Sequence, residues 1–184
     1  DTDEKKQASE QKAEKKDKIS LCYLGAVNNI IDIDKICELI RKIREKLPVE
    51  LHIIGIGERK EEFKRAAERA GAEVTDHGPI YDEDKKQEIM DECDFGLNVM
   101  KDTVCVGLSM KSIDYMAAGL PIINNLPGDI EKLIEKEDIG VNLNKNKDIT
   151  SEVINGTFVR KKVRDIYDNL FSDRNIENYL QKTL

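Results

Sequence analysis

No apolar run in this 184-residue chain approaches the ~20 residues that a membrane span needs, and its first residues are polar rather than signal-like. Positive charge is in deficit too. With 30 Lys and Arg against 37 Asp and Glu, the formal charge is -7, so an extended nucleic-acid contact would form against the protein's own average field. The four cysteines, Cys22, Cys37, Cys93 and Cys105, stand in unrelated apolar stretches with no CxxC pair, and His52 and His77 are the two histidines that could join them around a metal. These absences speak against nucleic acid, a structural metal and a disulfide framework. They lead to the expectation of a reduced, cytoplasmic protein with buried thiols. Methionine is missing from the first position, and a chain that opens at Asp1 is expected to be a piece of a longer polypeptide.

What is present suits one globular domain: 39% hydrophobic residues for a core and 36% charged residues, some of them in excess at the ends. Residues 1–18 mix both signs of charge, offer nothing to anchor them to a core, and read as a solvated tail, a linker or a loosely helical lead-in. From Ile19 the pattern changes. Ile19, Leu21, Tyr23 and Leu24 predict a buried strand ending at Gly25. A helix then carries Ile36, Leu39, Ile40, Ile43 and Leu47 at helical spacing, with Asp34 as its expected N-cap and Pro48 as its stop.

Leu51, Ile53 and Ile54 predict a second strand running into Gly55-Ile56-Gly57, and Phe63, Ala66, Ala67 and Ala70 stripe one face of the next helix. The alternation continues with strands at 72–74, 95–100, 120–123 and 141–143, and helices at 82–93, 111–118 and around 130–134. Strands alternating with helices over short connections predict parallel βαβ units, hence an α/β fold with a doubly wound, Rossmann-like parallel sheet covered by helices on both faces. That domain is expected to span 19–145. Residues 146–184 should form helices, at 149–171 and 174–184, that pack on the domain or cross to an absent one.

In such a sheet, ligands sit outside the carboxyl ends of the strands, where helix N-termini present free N–H groups. Three loops there draw attention. Gly25-Ala26-Val27-Asn28-Asn29 lets backbone approach a ligand closely and offers amide donors, although a plain Gly/Asn turn explains the same residues. Gly55-Ile56-Gly57-Glu58 is a GxG after a strand, but Lys60 stands where a dinucleotide fingerprint needs its third glycine, which disfavours NAD.

The third segment, residues 109–123, is the most informative. As a helix entering a strand, it places Ile113, Met116 and Ala117 on the core face and Lys111, Asp114 and Ala118 on the opposite one. A lysine in a first helical turn opposes the helix dipole, and a bound phosphate would reverse that penalty. Asp114, one turn on, suits the hydroxyls of a ribose or, equally, an i, i+3 pairing with Lys111. Asp32-Ile33-Asp34 has the form of a metal-binding DxD, yet aspartates at that place cap helices, and Asp91, Glu92 and Asp94 read as a helix end and a strand start.

The order of these pieces, with "LHIIGIGE", "AEVTDHGPI", "DECDFGLNVM" and above all "SMKSIDYMAAGLPIIN", resembles the C-terminal, sugar-nucleotide-binding domain of the family-4-like retaining GT-B glycosyltransferases, from about Ile19 to Val141. The resemblance implies a donor diphosphate held by Lys111, Gly25, Ala26, Asn28, Ser109 and Met110. It implies a ribose at Asp114 and a nucleobase flanked by Gly55, Gly57, His77, Gly78 and Ile80. No cofactor and no metal are called for, and no catalytic residue is assigned.

The implied partners are a nucleoside diphosphate sugar, more readily UDP-linked than otherwise, and a glycan or lipid-linked acceptor held by an N-terminal domain that this chain lacks. That setting is polysaccharide biosynthesis in the cytoplasm, with room for peripheral association at the inner face of a membrane. Two departures stand out. Ala26 occupies the place of a common family arginine, and Val106 that of the first of the family's two acids, leaving Asp102 or the backbone of 107–110 as substitutes. Half of a nucleotide-sugar epimerase, or a non-catalytic donor-binding or docking subunit, would carry the same pattern.

Overall fold

A computed structural model describes residues 16–145 and 148–171 of the chain. Six strands, β1 (Ile19–Leu24), β2 (Val49–Ile54), β3 (Ala72–Gly78), β4 (Phe95–Asn98), β5 (Ile122–Asn124) and β6 (Gly140–Asn142), form one sheet in the order β3-β2-β1-β4-β5-β6, and every pairing is parallel. Five helices alternate with them: α1 (Ile33–Arg44), α2 (Lys60–Ala70), α3 (Glu83–Asp91), α4 (Met110–Ala117) and α5 (Asp129–Glu137). After β6 come α6 (Ile149–Asn155) and α7 (Arg160–Phe171).

The central strand alternates sides. Ile19, Leu21 and Tyr23 of β1 enter a core with Ile36, Ile40 and Ile43 of α1 and Phe63 and Ala67 of α2. Cys22 and Leu24 enter the opposite one with Tyr115 and Met116 of α4, Ile130 and Ile134 of α5, and Val163 of α7. Each layer is thus a helical stripe against one face of a pleated sheet. Truncating one fully buried isoleucine such as Ile40 to alanine would cost about 2–5 kcal/mol.

Local chemistry corrects several sequence-based expectations. Asp32, rather than Asp34, caps α1, its carboxylate accepting from the Lys35 amide at 3.0 Å, and Asp34 lies in the first turn. The third strand extends to Gly78, beyond the apolar residues 72–74, because β3 is an edge strand that alternates exposed and partly buried positions. The stretch 149–171 is two helices parted by residues 156–159. Residues 174–184 and 1–15 lie outside the described residues.

On α4 the buried face is Ser112, Tyr115 and Met116 rather than Ile113, Met116 and Ala117, and Ala118, expected outside, is buried just past the helix end. The physical reason is Gly96. A side chain there would lie 2.5 Å from the Tyr115 ring, so the missing Cβ admits an aromatic residue to the sheet. The Tyr115 hydroxyl accepts from the Leu24 amide at 2.9 Å and lies 3.2 Å from the Cys22 and Leu97 carbonyls, pinning α4 across β1 and β4. Cys22, Cys37 and Cys93 are buried as expected, whereas Cys105 is exposed in the loop after β4. Among the described residues no helix is long and apolar enough to cross a membrane.

Candidate functional site

The strand order reverses between β1 and β4, so the loops that follow them leave toward opposite faces and open a crevice at the carboxyl edge. Both sequence-predicted anchors meet there. Gly25 ends β1 with φ +112°, a conformation that favours glycine, and a Cβ on it would lie 4.0 Å from Cε of Lys111. Gly55, at the end of β2, packs against the same turn so closely that a Cβ would meet the Gly25 carbonyl oxygen at 2.0 Å. The Gly25 amide donates to Ile54 O and the Gly55 amide to Gly78 O, both at 2.9 Å, which locks the three strand ends together.

Ser109 caps α4. Its Oγ accepts from the Ser112 amide at 3.2 Å and donates to Oδ1 of Asn98 at 2.8 Å. From Asn98 a line of buried amides crosses the strand ends. Asn98 Nδ2 donates to Asn124 Oδ1 at 2.8 Å, Asn124 Nδ2 to Asn142 Oδ1 at 2.9 Å, and Asn142 Nδ2 to the Glu131 carbonyl at 3.0 Å. The three asparagines are register partners in β4, β5 and β6, so the parallel sheet stacks their side chains and the stack fixes where α4 begins. Its signal in the sequence is an asparagine at the same place in three successive apolar strands.

That start positions Lys111. Its ammonium donates to the Tyr23 hydroxyl at 3.0 Å, sits 4.1 Å from the centroid of the Tyr23 ring, and has no salt-bridge partner among the described residues. Burial pushes its pKa down from 10.5 to about 8. Tyr23, fully buried, donates in turn to the Ala26 carbonyl at 2.8 Å, and burial pushes its phenol up. Tyr23 is a core residue by its burial and its place in β1. Its hydroxyl also joins the loop after β1 to the lysine of α4. A desolvated cation beside helix N–H groups, backed by an aromatic ring and facing no carboxylate, is arranged to meet an anion.

Beside it lies a cavity of about 240 Å³ at the ends of β1, β2 and β3, lined by Gly25, Ala26, Gly55 and Ile80 among others. Asp114 stands on the exposed face of α4. Desolvation pushes its carboxyl above the usual range, with the Lys86 ammonium pulling it down and Glu83 pushing it up. It makes no ion pair with Lys111.

Other expected residues are placed differently. Asn28 uses its Oδ1 to accept from the Ile30 amide at 3.1 Å, a local turn contact, and Met110 is 72% exposed. Gly57 approaches Val27 rather than the cavity, and Gly78 ends β3. His77 lies within β3, its ring stacked on His52 with centroids 5.3 Å apart and Nε2 3.0 Å from Nδ1 of His52. Desolvation first, and then His52, hold its pKa below the ordinary value. Val106 and Asp102 are exposed in the loop after β4, and Asp102 accepts from Lys35 at 2.7 Å.

The model of the family described as glycosyl transferases group 1 matches residues 18–156. No curated protein matches the chain. Among solved structures, a lipopolysaccharide outer core galactosyltransferase, WaaB in its apo form, superposes with a TM-score of 0.66 at 16% identity over 93% of this chain and 51% of its own. A mutant of S. aureus TarM in complex with fondaparinux, alpha-GlcNAc-glycerol and UDP gives 0.65 at 14% identity, over 91% of this chain and 35% of its own. Anabaena Alr3699/HepE in complex with UDP and glucose gives 0.61 at 14% identity, over 91% and 48%. The chain thus spans about half the length of the first of these. With three quarters of its length under the family model and the sheet of these structures reproduced, the chain belongs to the glycosyl transferases group 1 family and has the fold of one half of a GT-B glycosyltransferase.

Proposed function

We propose that this chain is the donor-binding half of a glycosyltransferase that moves a sugar from a nucleoside diphosphate, UDP above others, to a glycan or lipid-linked acceptor with retention at the anomeric carbon. One observation carries the reading: the unpaired, desolvated ammonium of Lys111, held at the start of α4 against the Gly25 turn. As the glycosidic bond breaks, negative charge gathers on the departing diphosphate. An ammonium and backbone N–H groups already in place stabilise it with little reorganisation. The cavity beyond Gly25 takes the nucleoside, with Asp114 on the ribose side and the Gly55 and Ile80 backbone around the base. UDP bound to TarM and HepE supports that choice of nucleotide.

In this reading the acceptor is presented by a second domain, and the chain alone binds donor and transfers nothing. Of the seven exposed large apolar side chains among the described residues, Ile30, Ile56, Tyr81 and Val106 sit in the loops after β1 to β4 and Met110 opens α4, where such a domain would close over the crevice. The test is calorimetric titration of the chain with UDP, GDP and ADP, wild type against Lys111→Ala. Saturable binding of UDP that weakens strongly in the variant upholds the reading. Binding that ignores the substitution, or none to any nucleotide, overturns it.

A further inference from the structure

A diphosphate brings more negative charge than one ammonium neutralises, and the loop from Gly25 to Asp32 contains no lysine or arginine. A second cation nevertheless reaches this crevice from another element. Lys86, on α3, lines the same 240 Å³ cavity as Gly25, Ala26 and Gly55. Its side chain is 16% exposed, whereas the carboxylate that holds it, Glu83 one turn earlier, is 81% exposed. An i, i+3 pair whose acid stands in solvent is the weak, screened kind, so the inward ammonium is readily taken over by a stronger anion. Lys86 also acts on the carboxylate of Asp114 on α4.

We propose that Lys86 is the second cation of the nucleotide crevice, binding the diphosphate from the α3 side while Lys111 binds it from the start of α4. The inference rests on the crevice being a nucleoside diphosphate site. Glu83 then acts as a placeholder that keeps Lys86 aimed inward until the ligand displaces it. Because α3 supplies the charge, the loop after β1 carries none and stays small at Ala26.

The experiment is an NMR titration of the ¹⁵N-labelled chain with UDP, inorganic pyrophosphate and uridine, read at the Gly25 and Gly55 amides, for wild type and Lys86→Met, Lys86→Arg, Glu83→Gln and Lys111→Ala. Such a titration registers millimolar as well as micromolar affinity. Lys86→Met is expected to weaken UDP and pyrophosphate about tenfold and leave uridine unchanged, with Lys86→Arg retaining most of the affinity. Glu83→Gln, which removes the competing acid, is expected to tighten UDP about two- to threefold and guards against a Lys86 variant that fails to fold.

UDP affinity unchanged in Lys86→Met, or uridine weakened as much as UDP, overturns the inference. If Lys111→Ala weakens UDP while both the Lys86 and Glu83 variants leave it alone, the inference falls and the proposed function stands. If wild type responds to none of the three compounds, both fall.

Discussion

The two edges of the sheet differ in a way that cavity size alone would misjudge. The larger hollow, about 730 Å³, lies at the amino edge between the ends of α1 and α3 and the connection from α6 to α7. Arg160, Asp91, Asp94 and Lys16, which line it, are committed. Arg160 donates to the Cys93 and Met90 carbonyls at 2.8 and 2.9 Å, and Asp94 accepts from the Ser20 amide at 2.8 Å and pairs with Lys16 at 3.2 Å. The hollow at the carboxyl edge is a third of that size, but beside it stand helix N–H groups, a desolvated ammonium with no counter-ion among the described residues, and exposed apolar side chains. On the proposed function, unspent bonding capacity marks the edge that binds, and a large crevice whose main charges already satisfy one another is a structural joint.

Four measurements would break or sharpen that contrast. The largest effect is expected for Lys111→Ala, which should weaken UDP ten- to a hundredfold by calorimetry while thermal stability holds or rises, since a desolvated charge is removed. Next comes Gly55→Ala. Its new methyl meets the Gly25 carbonyl at a φ of +151°, and a loss of at least about 2 kcal/mol in urea denaturation is expected, together with loss of UDP binding.

The third is pH. Free Lys111 titrates near 8, and a bound diphosphate favours its charged form. Between about pH 6, where the terminal phosphate takes up a proton, and pH 8 the lysine is mostly protonated and affinity is nearly flat. Above pH 8 binding must take up a proton, so affinity should fall up to about tenfold per pH unit, a slope that Lys111→Ala abolishes. The smallest effect on binding is expected at the opposite edge. Arg160→Ala should lower stability by about 1–2 kcal/mol, through the loss of its bonds to the Cys93 and Met90 carbonyls, and change UDP affinity less than twofold. A large loss of affinity there would erase the contrast between the edges.

The alternation of strand and helix was legible because each strand is a short apolar run closed by glycine or a polar turn, and each long helix repeats its apolar residues at helical spacing. Lys111, Gly25 and Gly55 were legible as well, since a lysine in a first helical turn and glycines after strands are locally unusual. What escaped depends on residues far apart in sequence. The face of α4 was misjudged because its burial is decided by Gly96, which lets Tyr115 into the sheet, and by Ser109 and Ser112, which are polar yet buried. Lys86 looked like any surface lysine of a charged helix, and only the packing of α3 beside the ends of β1 and β2 turns it inward. His77 carries no apolar signal of a strand, and the edge strand runs through it to Gly78.

The row of asparagines has a consequence for how this half-molecule can change over generations. Every link points the same way, from the Ser109 hydroxyl through Asn98 and Asn124 to Asn142 and the Glu131 carbonyl, and that peptide oxygen at the far end fixes the direction. An aspartate at any rung keeps the shape but has no N–H to pass on, and a leucine strands both neighbours. Single steps away from the row therefore meet a penalty that a simultaneous replacement of all three rungs would avoid. The start of α4 is protected by a mutational valley, while the exposed Met110 in its first turn lies outside it.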